Sequence, residues 1–99
     1  MTQIIKTIRL IPHKVIIAFE RVRASNRSFF GIYALNLIPS VMNYLDISFE
    51  DSTFTQGFTL SPYCKYFESN GKNIFQGNIL IRNTSTDIIH QISTTEILE

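Results

Sequence analysis

The chain has too little of several things to support several familiar chemistries. Its 99 residues include one cysteine, Cys64, so no internal disulfide can form and the fold has to rest on its core, as in a reducing compartment. Apolar runs are short. Lys6, Arg9, Pro12, His13 and Lys14 break up the first segment, which leaves no continuous centre for a secretory signal, and no stretch reaches the about 20 residues of a membrane helix. These absences point to a soluble, cytoplasmic protein with no membrane contact. The triplets Asn26-Arg27-Ser28 and Asn83-Thr84-Ser85 then read as turns rather than as glycan acceptors. The four glycines, Gly31, Gly57, Gly71 and Gly77, are scattered singly, so there is no phosphate-cradling loop. His13, His90 and Cys64 lie in unrelated segments without metal-ligand spacing, and Asp46, Glu50 and Asp51 lack the pattern of a calcium loop. No catalytic residue, metal or cofactor is expected, and the chain reads as a non-enzyme.

Charge is scarce as well. Charged residues make up 17% of the chain against a usual figure of about 25%, while hydrophobic residues make up 44%. A surface this short of charge suits a chain partly covered by partners, although a neutral coat of Ser, Thr and Asn would look the same. The little charge present is unevenly placed. Residues 1 to 30 carry six basic side chains against Glu20 alone, a net +5, and the remainder carries three against seven acidic ones, a net −4. Such polarity attracts nucleic acid, an acidic protein surface, or a second copy of the chain.

What the chain has in quantity is strand signal. Residues 2–11 are rich in β-branched side chains and stop at Pro12. Asn70-Gly71 stands between two strand-forming runs and predicts a type I′ hairpin that sets Tyr66 opposite Phe75 and Cys64 opposite Gly77. Its core face would hold Cys64, Tyr66, Phe75, Ile79 and Ile81. A turn at Asp51-Ser52 would set Phe49 opposite Phe54, with Phe58 and Leu60 further along. A turn at Asn26-Arg27 would pair Ala18 with Leu35 and Val22 with Gly31, although Val15, Ala18, Phe19 and Val22 also make a helical stripe. Residues 88–92 read as a last strand, with the tail from Thr94 to Glu99 left to fray.

The expected fold is therefore mainly β: one domain spanning 1–99, an antiparallel meander of six to eight short strands forming a small sandwich or barrel, with a helical turn near 39–45. The alternative is α+β, with a helix in 13–24 packed on a four- to five-stranded antiparallel sheet. For function, the stretch Arg21 to Phe30 stands out, because arginines beside aromatics both anchor protein interfaces and grip nucleic acids. Lys14, Arg21, Arg23, Arg27, Phe29 and Phe30 are the candidate partner-binding residues. The expectation is a protein-binding module, an adaptor, inhibitor or assembly subunit that self-associates. A nucleic-acid binder using the same basic third is the alternative, a barrel holding an apolar ligand is a third reading, and a plain charged turn over core phenylalanines is the structural one.

Overall fold

The computed structural model describes residues 1–35, 45–50, 54, 57–60, 64–69, 75, 77–85 and 88–99. Eight strands run through it: β1 (Thr2–Leu10), β2 (Val15–Phe19), β3 (Arg27–Ala34), β4 (Leu45–Phe49), β5 (Gly57–Leu60), β6 (Lys65–Glu68), β7 (Ile79–Asn83) and β8 (His90–Leu98). They form two four-stranded antiparallel sheets, ordered β1-β8-β3-β6 and β2-β7-β4-β5. The chain changes sheet at every connection except β4 to β5. That strand order is the connectivity of an eight-stranded jelly roll, a sandwich of two Greek keys.

The mainly β sandwich expected from the sequence is what forms, and the reason lies in alternation. Along β3 the buried apolar side chains are Phe30, Ile32 and Ala34; along β7 they are Ile79 and Ile81; along β4 they are Leu45 and Ile47. These meet Leu10, Phe19, Leu60 and Ile92 between the sheets. Rings bridge the layers, with Phe30 at 5.1 Å from Phe19 and Tyr66 at 4.6 Å from Phe58, separations at which tilted rings attract. A pocket of about 290 Å³ lined by Asp46, Phe54, Gly57 and Thr59 belongs to the β4–β5 edge.

Pairing partners depart from the sequence reading in several places. β6 pairs with β3 and β7 pairs with β2 and β4, so the two runs flanking Asn70-Gly71 lie in different sheets and do not form a hairpin. The turn at Asn70-Gly71 itself lies outside the described residues, as do the Asp51-Ser52 turn and the helical turn near 39–45 except for Leu45, which is the first residue of β4. β2 and β3 are likewise split between sheets, and 21–26 is a 3-10 helix, so neither a long helix over 13–24 nor a hairpin about Asn26-Arg27 exists. In β3 the residues on the core side are Phe30, Ile32 and Ala34, so Phe29, Gly31 and Tyr33 lie on the other face. The β4–β5 hairpin does form, but its register sets Ile47 against Phe58, two residues from the expected pairing of Phe49 with Phe54. Cys64, expected in the core, is exposed ahead of β6. Gly57 permits this hairpin, because its φ of 146° and the carbonyl of Ile47 against its Cα leave no room for a side chain.

The largest correction concerns the tail. Thr94 to Glu99 does not fray; β8 runs to Leu98 and is an inner strand of the first sheet, held between β1 and β3. Asn83 secures its start. Its buried amide donates to the carbonyls of Leu10 and Ile88 at 2.8 Å each and accepts from the Ser85 N–H at 2.9 Å, tying three strand ends together.

Candidate interaction surface

The two sheets are unequal. β1, β3 and β8 run eight or nine residues, whereas no strand of the second sheet exceeds five, so part of the first sheet's inner face lacks a strand above it. The 3-10 helix covers that part with Ala24 and with most of the arginines the sequence reading assigns to a partner. Glu96 points inward from β8 and is 2% exposed. Its Oε1 accepts from Arg23 Nε at 2.7 Å and its Oε2 from Arg27 Nε at 2.8 Å. The Arg27 side chain is fully buried and also donates to the carbonyls of Phe75, Gly77 and Glu20. Its guanidinium lies 5.8 and 5.9 Å from the rings of Phe19 and Phe30. Four of the five N–H donors of this cation are engaged, one of them by a carboxylate, and such pairing is the condition for tolerating it in the interior.

Arg21 pairs with Glu50, which also accepts from the Asn78 backbone; the hydrogen bond from the guanidinium outweighs the opposing effect of burial and, helped by the backbone donor and the arginine's charge, holds the Glu50 carboxyl below the usual carboxylate range. Arg82 pairs with its cross-strand neighbour Asp46 at 2.6 Å and lies under the Phe54 ring. Of the six expected partner-binding residues, then, Arg27 and Phe30 are buried and cannot touch a partner, Arg23 is turned toward Glu96, and Arg21 is exposed but neutralised. Lys14 is exposed in the β1–β2 turn. Phe29 is half-buried on the outer side of the first sheet, and only it belongs to the surface described next.

That outer face is the apolar surface of the molecule. The register sets Ile5, Thr95, Gly31 and Phe67 in one row across all four strands, with Thr7, Ser93, Tyr33 and Lys65 beside it and Gln3, Ile97 and Phe29 on the other side. Ile5 is 62% exposed and Phe67 53%. Phe29 stacks on Phe67 with ring centres 6.2 Å apart, and the Tyr33 ring lies against the bare backbone of Gly31. Leu35, exposed and bonded through its backbone N–H to the Gln91 carbonyl, continues the face at one end. Its strands present charge only at the two edges, Arg9 on β1 and Lys65 on β6. Aromatic side chains at the centre, small neutral polar ones between them and charge at the rim is the composition of a protein–protein contact. The sequence signal is the low charge of residues 2–8 and 91–98, which becomes a surface only once β8 lies between β1 and β3.

Among the described residues no group of three or more His, Cys, Asp or Glu side chains is placed to hold a metal ion, and no helix is long and apolar enough to cross a membrane. His90 is fully buried and both its ring nitrogens lack a partner among the described residues. Burial pushes its imidazole below the ordinary 6.5. The unfolded chain therefore takes up this proton first, so stability is complete above about pH 6.5 and falls as the pH drops below it. Urea midpoints should decrease between pH 7 and pH 5, and His90→Leu should flatten that decrease. An equal decrease in the variant would assign it to other groups.

No family model, curated protein or solved structure matches the chain. Strand order alone carries no activity, because one architecture hosts many functions.

Proposed function

We propose that this chain is a non-enzymatic protein-binding module whose working surface is the outer face of the β1-β8-β3-β6 sheet, with a second copy of the chain as its first partner. The observation that carries this reading is the row Ile5, Thr95, Gly31 and Phe67, which crosses the whole sheet without a charge and exposes a large apolar side chain at each end. Its dimensions fit. Three strands of about 26 to 30 Å and one, β6, of about 13 Å, spaced about 4.8 Å apart, offer about 450 to 500 Å² per copy, so a face-to-face pair buries about 1,000 Å², the low end for a specific contact. An interface of that size gives a reversible dimer. Two sheets packed this way cross at about 30°, with the side chains of the two faces interleaved.

The expected result is a concentration-dependent dimer at micromolar protein by light scattering. Phe67→Asp or Ile5→Asp should leave a folded monomer, since each places a charge in the strip at an exposed position. Ile17→Asp, on the outer face of the other sheet, should dimerise as the parent does. A parent that stays monomeric at high concentration, or an Ile17→Asp variant that alone loses the dimer, would overturn this assignment.

A further inference from the structure

β1 is a long edge with bonding capacity to spare. Among the described residues it pairs only with β8, and its nine residues exceed the four or five of the other edge strands β2, β5 and β6. Such an edge presents a row of backbone donors and acceptors to any extended chain laid beside it. Its side chains are open too. Ile4 and Ile8, on the core-facing side, are only half-buried, and Ile5 and Lys6 are exposed.

Charge says which chain fits. The arginines at 21, 23, 27 and 82 each hold a carboxylate within 4 Å. Lys6, Arg9 and Lys14 have no such partner among the described residues, and two of them lie on β1 while the third follows in its turn. The free positive charge of the basic third is therefore gathered along this edge. Lys6 stands at the midpoint of Thr2–Leu10, so antiparallel pairing of β1 with its own copy about that midpoint would set Lys6 against Lys6. Like charges directly opposite destabilise a strand pair, whereas an acidic residue there stabilises it.

We infer that β1 is a strand-addition site for an extended acidic segment of a partner protein, with a carboxylate opposite Lys6 and apolar residues two positions to either side, opposite Ile4 and Ile8. The inference rests on the reading of the chain as a protein-binding module but uses a different surface, so the partner strand extends the sheet while the face is left free. Main-chain bonds supply the affinity and the alternate side chains the selection. The recognised pattern is apolar, any, acidic, any, apolar.

The probe is an acetylated nine-residue peptide, Ser-Thr-Val-Thr-Glu-Thr-Val-Thr-Ser, titrated into the ¹⁵N-labelled protein and followed by amide shifts and hydrogen exchange. Saturable changes and slowed exchange over Thr2–Leu10 are expected. Lys6→Glu should weaken binding about fivefold to thirtyfold, and a Lys-centred peptide should recover it on that variant. Two N-methylated peptides, blocked at odd or at even residues, should differ: one set fails to bind and the other binds as the parent, because only alternate residues donate toward β1. Phe67→Asp should bind the peptide unchanged, so loss of the dimer and loss of the peptide are separate results. No binding, equal binding of both N-methylated peptides, or shifts at Phe29, Tyr33 and Phe67 instead of β1 would overturn the inference. Competition by an oligothymidine 20-mer that is tighter than the peptide and falls steeply with salt would also overturn it, making the edge a nucleic-acid contact.

Discussion

Replacing Glu96 with alanine is expected to cost about 3 to 5 kcal/mol, because it leaves the buried Arg27 guanidinium without its counter-charge. Glu96 is 2% exposed and both of its oxygens are engaged, one by Arg23 and one by Arg27, so its removal leaves the buried Arg27 side chain without a paired carboxylate. A domain of this length is stable by about 5 to 15 kcal/mol, and the loss should lower its melting temperature by at least about 12 °C. Changing Arg21, Arg23 and Arg27 together to glutamate should unfold the protein, since Arg27→Glu would bury a second carboxylate against Glu96. A surface cluster of arginines would accept the same triple change and lose only a partner. Substituting Glu96 by leucine and Arg27 by methionine together should recover much of the loss, since a buried ion pair is often replaced by packed apolar groups at little net cost. A melting temperature for Glu96→Ala within about 2 °C of the parent would show that the cluster is not buried.

Two neighbouring phenylalanines should behave in opposite ways. Phe30 is fully buried, lies 5.1 Å from Phe19 and 6.0 Å from Tyr66, and shares its ring with the Arg27 cation, so Phe30→Ala should destabilise by about 3 to 5 kcal/mol. Phe29 lies on the other side of the same strand, stacked on Phe67. Phe29→Ala should change stability by no more than about 1 kcal/mol while weakening the dimer, because an outward ring loses little burial and much of its contact with a partner. Urea unfolding and light scattering on both variants separate the effects. A destabilised Phe29→Ala beside a tolerated Phe30→Ala would reverse the facing of β3 and remove the proposed surface with it.

That facing is also the clearest case of what alternation can and cannot reveal. Tyr66, Phe75, Ile79 and Ile81 were legible as core residues, and they are packed on the core, although the hairpin from which they were read does not exist. A period of two identifies the buried side of each strand, but it carries no information on which sheet the strand joins, and in a jelly roll successive strands mostly change sheets. β3 failed for a different reason. Phe29, Gly31, Tyr33 and Leu35 alternate as well as Phe30, Ile32 and Ala34 do, so pattern alone could not choose between its faces. The arginines misled through the same blind spot. Arg23 and Arg27 looked exposed because their counter-charge is Glu96, about 70 positions away, on a segment that reads as a loose polar tail. Only the pairing of β8 with β1 and β3 brings that carboxylate under the 3-10 helix.

The central claim is that the outer face of the first sheet is the surface a partner covers, and hydroxyl-radical footprinting across a dilution series tests it most directly. As the protein is concentrated through the range where it dimerises, oxidation of Phe29, Tyr33 and Phe67 should fall several-fold. Ile17 and Val22, exposed elsewhere on the molecule, serve as internal standards and should be modified at a constant rate. Protection at Ile17 or Val22 with Phe67 unchanged would place the contact on another surface and contradict the account.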